Sequence, residues 1–174
     1  MEVKKGLVMI NTGHGKGKTT AALGAMARAA GQGYHCLMIQ FIKGGRNYGE
    51  LAHFEDCQNV EIRPTGLGLI RRNEDLKPHR QAAEKGFLLA KEEMESGKWD
   101  LLVLDEIFLA LRRGFLTKSD IRGLIERKPE NSHLILTGRD CPEEFFELAD
   151  LVTVMQAQKH HLQGGVKSQA GVEY

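Results

Sequence analysis

Short apolar runs alternate along this chain with longer stretches whose apolar residues recur every three or four positions. The first run, GLVMIN at 6–11, stops at a cluster of glycines and reads as a buried strand. TTAALGAMARAAG follows with helical character, and Gly31 and Gly33 supply its stop. YHCLMIQFI (34–42) reads as the next strand and NVEIRPT (59–65) as a shorter one. From Pro78 to Glu95 the pattern is helical, with Ala83, Phe87, Ala90 and Met94 on one face. DLLVLDEI (100–107) is the clearest strand, apolar until its carboxyl end.

Further on, Thr117 or Ser119 is placed to cap a helix through DIRGLIERK, and SHLILTG (132–138) reads as another buried strand. Pro142 suits the first turn of a helix carrying Phe145, Phe146 and Leu148, and LVTVMQ (151–156) closes the series. Near-continuous apolar strands alternating with helices predict an α/β fold, a mostly parallel sheet with helices on both faces. No repeat or linker interrupts the pattern, so residues 1–174 are expected to form one domain. Segments 43–58 and 65–77 are the expected ligand-facing loops, and the weakly periodic last residues, from Lys159 to Tyr174, are expected to pack over the site.

Charge narrows the function classes. Lysine plus arginine number 24 and aspartate plus glutamate 23, a net charge of +1, which gives no reason to expect a nucleic-acid or membrane surface. Cys36, Cys57 and Cys141 lie far apart, with neither metal-ligand spacing nor a disulfide framework, which favours a reducing compartment. With no apolar stretch long enough for a signal peptide or membrane helix, a cytoplasmic location is expected.

The chemistry concentrates in NTGHGKGKTT, residues 11–20, between the first strand and the first helix. The phosphate-binding pattern G-x-x-x-x-G-K-[ST] is matched at its end by Gly17, Lys18 and Thr19. Its first glycine would fall on Thr12, whereas the glycine stands at Gly13. Gly13, Gly15 and Gly17 can adopt positive φ and leave backbone N–H groups open to an anion. Lys18 adds a full charge, Thr19 offers a hydroxyl to a magnesium ion, and the helix that follows presents its positive end. The simpler alternative is a flexible turn with exposed lysines. A dinucleotide fingerprint would need glycine at Lys18 and is rejected.

Asp105 and Glu106, ending the strand LLVLDEI, are the acidic half expected of a nucleotide site, because a buried strand tolerates such a pair only beside positive charge. A strand end meeting solvent is the alternative. Arg139 ends another strand, at the sheet edge where ligands bind in open α/β folds, and a surface arginine is an equal reading. His160 and His161 are adjacent and read as exposed.

TGHGKGKTTAALGAMARAAGQG, IQFIKG, LLVLDEI, LILTGRDCPEE, LADLVTVM and KHHLQGGVKSQAGVEY together resemble, in order, the ATP-dependent corrinoid adenosyltransferases of the CobA, CobO or BtuR type. The resemblance runs from Gly6 to Tyr174 and implies a P-loop NTPase-like domain, RecA-like in strand arrangement. It implies transfer of the 5′-deoxyadenosyl group of Mg-ATP to Co(I) of cobalamin or cobyrinic acid a,c-diamide, with release of triphosphate. Gly13, His14, Gly15, Lys16, Gly17, Lys18, Thr19 and Thr20 would wrap the triphosphate, and Arg28 matches a family arginine in the first helix, which makes it a further candidate for phosphate contact. Thr19, Glu106 and Asp105 would serve magnesium, so that Lys18, Thr19 and Glu106 carry catalysis. A homodimer and a flavoprotein reductant are further implied.

Two features depart from the family. The aromatic-bearing T-G-F-T-W stretch under the corrin ring is TGLGLIRR here, with Leu67 and Leu69 in place of the phenylalanine and tryptophan. The first strand is expected within about six residues of the start, where members often carry an arm over the corrinoid. These departures keep open a P-loop ATPase, or a nucleotide-dependent binding protein, with an altered corrinoid face.

Overall fold

Six strands form one sheet in a computed structural model that describes residues 5–44 and 48–174. They are β1 (Val8–Thr12), β2 (Cys36–Gln40), β3 (Val60–Pro64), β4 (Leu101–Asp105), β5 (His133–Thr137) and β6 (Leu151–Val154). Every pairing is parallel and the order is β3-β2-β4-β5-β1-β6. The strands lie where the apolar runs predict them. Each is shorter than its run, because the flanking residues turn away to meet the helices.

Alternation of side chains sorts the sheet into two faces. Helix α1 (Lys18–Gly31) covers one of them, burying Ala22 and Met26 against Cys36, Met38, Leu101, Val103 and Ile135. The other face is larger. Leu37, Ile39, Leu102, Leu104, Leu134 and Leu136 pack there against α3 (Leu76–Glu95), α4 (Ile107–Arg112) and α5 (Lys118–Glu126). The face anticipated for α3 is confirmed, since Ala83, Phe87, Ala90 and Met94 are all buried.

Two elements were not legible from periodicity. Helix α2 (Gly49–Phe54) occupies part of segment 43–58, and α4 follows β4 with no loop between them. Both are too short to show a repeat. Residues 45–47, also in segment 43–58, lie outside the described residues. The segment after Pro142 is a 3-10 helix (Glu143–Leu148), which Pro142 precedes as its cap.

Of the two candidate caps, Thr117 is the one used. Its hydroxyl accepts from the Asp120 backbone N–H while the Asp120 carboxylate accepts from the Thr117 backbone N–H, a reciprocal capping box. Thr117→Ala is expected to lower stability by about 1 kcal/mol in chemical denaturation. Nucleotide affinity should not change, since α5 packs on the sheet face opposite the one that α1 covers.

Candidate functional site

At the carboxyl edge of the sheet, the apolar pattern of the α1-covered face ends in a polar row. Asn11 pairs in register with Thr137, and Gln40 pairs with Asp105. Leu104 pairs with Leu136 one step earlier, which sets Asp105 beside Thr137. Four neighbouring strands thus present polar side chains toward the start of α1. β5 lies between the strand that feeds the glycine loop and the strand that ends in Asp105, a separation of about 10 Å at ordinary strand spacing.

Asp105 is 1% exposed and joins the parts of this edge. Its Oδ1 accepts from the Thr19 hydroxyl and from the Thr137 hydroxyl, each at 2.8 Å. The Thr137 hydroxyl in turn accepts from the Glu106 backbone N–H at 2.9 Å. Burial raises the Asp105 pKa, and the hydrogen bonds from Thr137 and Thr19 oppose that. Glu106 is raised for the same first reason and then by the charge of Asp105 beside it, with Lys18, Arg139 and Arg112 pulling the other way. Its backbone is left-handed, φ 60° and ψ 26°, a conformation that side chains seldom adopt outside strained functional turns.

The glycine loop closes around Lys18, whose ammonium donates to the Gly13 and Gly15 carbonyls at 2.8 Å each. Burial lowers the Lys18 pKa, and Glu106 and Asp105 counteract it. The N-terminus of α1 has no side-chain cap and no acidic residue in its first turn, so the charge it can attract is left to a ligand. Gly17 caps it with φ 117°.

Two details differ from the expected anion cradle. The Gly15 N–H donates to the Met155 carbonyl at 2.7 Å, and a Cβ on Gly13 would stand 2.3 Å from that same oxygen. Close passage of the backbone after β6 therefore accounts for glycine at 13, besides its φ of 96°. Thr12, where the standard pattern has its first glycine, is buried, and its hydroxyl accepts from the Cys141 N–H at 3.2 Å. The pattern shifts by one because position 12 anchors the loop to the segment after β5.

The other candidates separate clearly. Lys16 pairs with Glu173 at 3.1 Å, which brings the end of the chain onto the loop as expected, and His161 approaches the same carboxylate at 3.5 Å. His14 pairs with Asp140 at 3.0 Å. Thr20 is exposed one residue beyond Thr19. Arg28 is exposed in the last turn of α1, about 15 Å along the helix from Lys18, and the fold does not bring it to the loop. Arg139 borders the site and acts electrostatically on Lys18 and Glu106.

A cavity of about 760 Å³ opens over this edge. Thr19, Asp105, Glu106 and Arg139 line its polar part; Ile42, Leu69 and Leu109 line an apolar part. Ser168 and Tyr174 from the end of the chain complete the wall. Leu69 is 87% exposed and faces the cavity, whereas Leu67, 56% exposed, is not on its wall. The segment bearing both leucines is clamped to the end of β2: Gly68 N–H donates to the Ile42 carbonyl at 2.8 Å, and a Cβ on Gly66 would meet Ile42 at 2.2 Å.

Thr19, Asp105 and Glu106 bring oxygen donors to the polar part, a set suited to magnesium, and the Thr19 hydroxyl and Glu106 carboxylate are the groups able to hold it, with Asp105 orienting Thr19. Among the described residues no three His, Cys, Asp or Glu side chains converge, so phosphate oxygens and water would have to complete its shell. No thiol is activated here: burial pushes Cys141 up to about 12, and Cys36 likewise.

Sequence reasoning missed Lys43 and Tyr48 on the cavity wall, Glu50 beside them on α2, and Thr137. Thr137 is a strand's last residue and Lys43 lies just beyond one, the same kind of place that drew attention to Asp105. No helix among the described residues is long and apolar enough to cross a membrane.

Comparison with known proteins agrees with this geometry. The family described as ATP:corrinoid adenosyltransferase BtuR/CobO/CobP matches residues 4–174. A corrinoid adenosyltransferase of Sinorhizobium sp. is 40% identical, covering 98% of this chain and 81% of that protein. One from Pseudomonas aeruginosa is 34% identical, covering 98% and 85%. Corrinoid adenosyltransferase CobA of Salmonella typhimurium is 32% identical, covering 98% and 87%. Among solved structures, the flagellar accessory protein FlaH of Methanocaldococcus jannaschii superposes with a TM-score of 0.60 at 14% identity, over 87% of this chain and 72% of that one, a likeness of fold alone.

The buried carboxylate makes a pH-dependent expectation. An acid whose folded pKa is raised binds its proton more tightly when folded, so it contributes stability at low pH that is lost as pH rises from the unfolded value through the folded one. Asp105→Asn keeps an acceptor oxygen for Thr19 and Thr137 but cannot ionise. In thermal unfolding at pH 8 without nucleotide, the variant should be the more stable, and its advantage should shrink as pH falls toward the ordinary aspartate range.

Proposed function

The chain belongs to the ATP:corrinoid adenosyltransferase family, and from that membership we propose the reaction of its own site. It transfers the 5′-deoxyadenosyl group of Mg-ATP to Co(I) of a corrinoid and releases the whole triphosphate. The observation that carries this reading is the two-part cavity, with Thr19, just after the glycine loop, and carboxylates at one end and an exposed apolar wall at the other. A nucleotide hydrolase needs only the first part.

Co(I) is itself the nucleophile, so the protein needs neither a general base nor a thiolate, in keeping with thiols held protonated by burial. Lys18 and the amides opening α1 neutralise the triphosphate and hold it still. Thr19 and Glu106 would hold magnesium, which would supply charge neutralisation to the phosphates. Asp105 fixes Thr19 by one hydrogen bond and Thr137 by another, so the loop and β4 keep their spacing. Leu69 and Ile42 offer a dry surface to the acceptor, excluding water from the reacting centre. The work is positioning and charge neutralisation. We assign this activity to one nucleotide-binding domain acting in the cytoplasm as a homodimer, with a flavoprotein as electron donor.

The direct test mixes the protein anaerobically with Mg-ATP and chemically reduced cobalamin. A light-sensitive alkylated corrin and free triphosphate should appear in equal amounts. Orthophosphate as the sole nucleotide product overturns the assignment and selects the ATPase. In calorimetry, Lys18→Ala should weaken Mg-ATP binding about tenfold or more, the loss of one charge-assisted contact of roughly 1.5–3 kcal/mol.

A further inference from the structure

Lys43 follows β2 as the first charged residue beyond its carboxyl end, and its side chain is 21% exposed. It is held from two directions. Its ammonium forms an ion pair with Glu50, on α2, whose side chain is 10% exposed, and lies 4.5 Å from the ring centre of Tyr48. The Glu50 oxygen that takes Lys43 also accepts from the Gln40 side-chain amide at 3.1 Å, while the Gln40 Oε1 is buried with no partner among the described residues. Burial pushes the Glu50 pKa up, yet the hydrogen bonds from Lys43 and Gln40 more than offset this and hold it low. Glu50 is therefore favoured as an anion, and it ties Lys43 to Gln40 at the end of β2.

The place where Lys43 is held matters more than the pairing. It lines the cavity together with Thr19, Asp105 and Glu106, and also with Ile42, Gly68 and Leu69. Its charge is felt at Asp105. Next to it, Gly44 packs so closely on the 66–68 backbone that a Cβ there would stand 3.0 Å from Leu67. Lys43 thus stands between the carboxylates and the apolar residues of the cavity wall, whereas Lys18 is turned into the glycine loop and is not on that wall. Among the described residues, Lys43 is the lysine that the cavity meets.

We propose that Lys43 is a further catalytic residue, which stabilises the charge developing on the phosphate oxygen that C5′ leaves, with Glu50 and Tyr48 as its positioning residues. The inference rests on the adenosyl-transfer reading given above. In that reaction the C5′–O bond breaks and its electron pair stays on the triphosphate. The new Co–C bond takes both electrons from Co(I), which becomes formally Co(III), so no further oxidant or reductant is required. Negative charge moves outward from cobalt to the leaving oxygen, at the junction of the two halves of the cavity. A cation fixed at that junction interacts more strongly with the transition state than with bound ATP.

The test uses the full chain, saturating Mg-ATP and chemically reduced cobalamin, with alkylated corrin followed in single turnovers. Lys43→Gln keeps a hydrogen bond to Glu50 but not the charge, and should lower the transfer rate about a hundredfold while Mg-ATP affinity changes less than about threefold. Lys43→Arg, which keeps the charge, should retain most of the rate. The double variant Lys43→Met with Glu50→Gln leaves no buried charge unpaired, and should reproduce the Lys43→Gln loss with a melting temperature near wild type. A rate within threefold of wild type in either uncharged variant overturns the inference, as does a loss confined to ATP affinity. If the wild-type protein yields no alkylated corrin at all, the adenosyl-transfer reading itself fails; if it transfers and the uncharged variants match it, only the role of Lys43 falls.

Discussion

A single buried carboxylate oxygen holds three segments of this molecule in register. Asp105 Oδ1 takes the Thr19 hydroxyl from the helix after the glycine loop and the Thr137 hydroxyl from β5, and Thr137 passes the constraint on to the backbone of Glu106. The loop, the central strands and the strained turn after β4 are therefore positioned by one network rather than by independent contacts. Networks of this kind are worth having only when every member is satisfied, because an unpaired charge at this depth would oppose folding. The sheet makes the network possible: its register sets Asn11, Thr137, Asp105 and Gln40 side by side on the face that α1 covers.

That row explains what the sequence did and did not reveal. Strands buried on both faces read as unbroken apolar runs, and a polar residue at the end of such a run stands out, as Asp105 does in LLVLDEI. Thr137 and Gln40 end their runs in the same manner, but threonine and glutamine are common enough at strand ends to pass unnoticed. Their role depends on the neighbouring strand, and lateral order is a non-local property that no window of sequence contains. Helices α1, α3 and α5 were visible because each is long enough to show a repeat or a cap; α2 and α4, at six residues each, are not. Lys43 and Glu50 were hidden for that reason, since their pairing requires α2 to fold back on the end of β2.

The glycine loop shows a further limit of motif reading. Spacing alone suggested that Gly13 and Gly15 serve an anion, whereas the structure gives them a second duty beneath the backbone of Met155. A motif specifies which residues are small, and only the fold reveals what approaches them. The displaced first glycine follows the same logic, because Thr12 is committed to Cys141 and cannot be given up without loosening the loop from β5. The departure from the usual spacing is a local solution to packing, and it leaves Lys18 and Thr19 in their places.

The electrostatics of this edge run against the chain's own stability. Lys18, Asp105 and Glu106 are each shifted by burial toward their neutral forms, which means that the charged form of each costs more here than in water. Such groups persist where a ligand supplies the missing opposite charge, and a nucleotide triphosphate with a divalent cation supplies both signs at once. Binding would then recover stability that folding alone forgoes, in proportion to ligand concentration over its dissociation constant. The acceptor end has no comparable tension: Leu69 stands largely in solvent, and its wall is clamped through backbone contacts with Ile42 rather than through charges. Side chains on that wall can therefore change without disturbing the charged network at the start of α1.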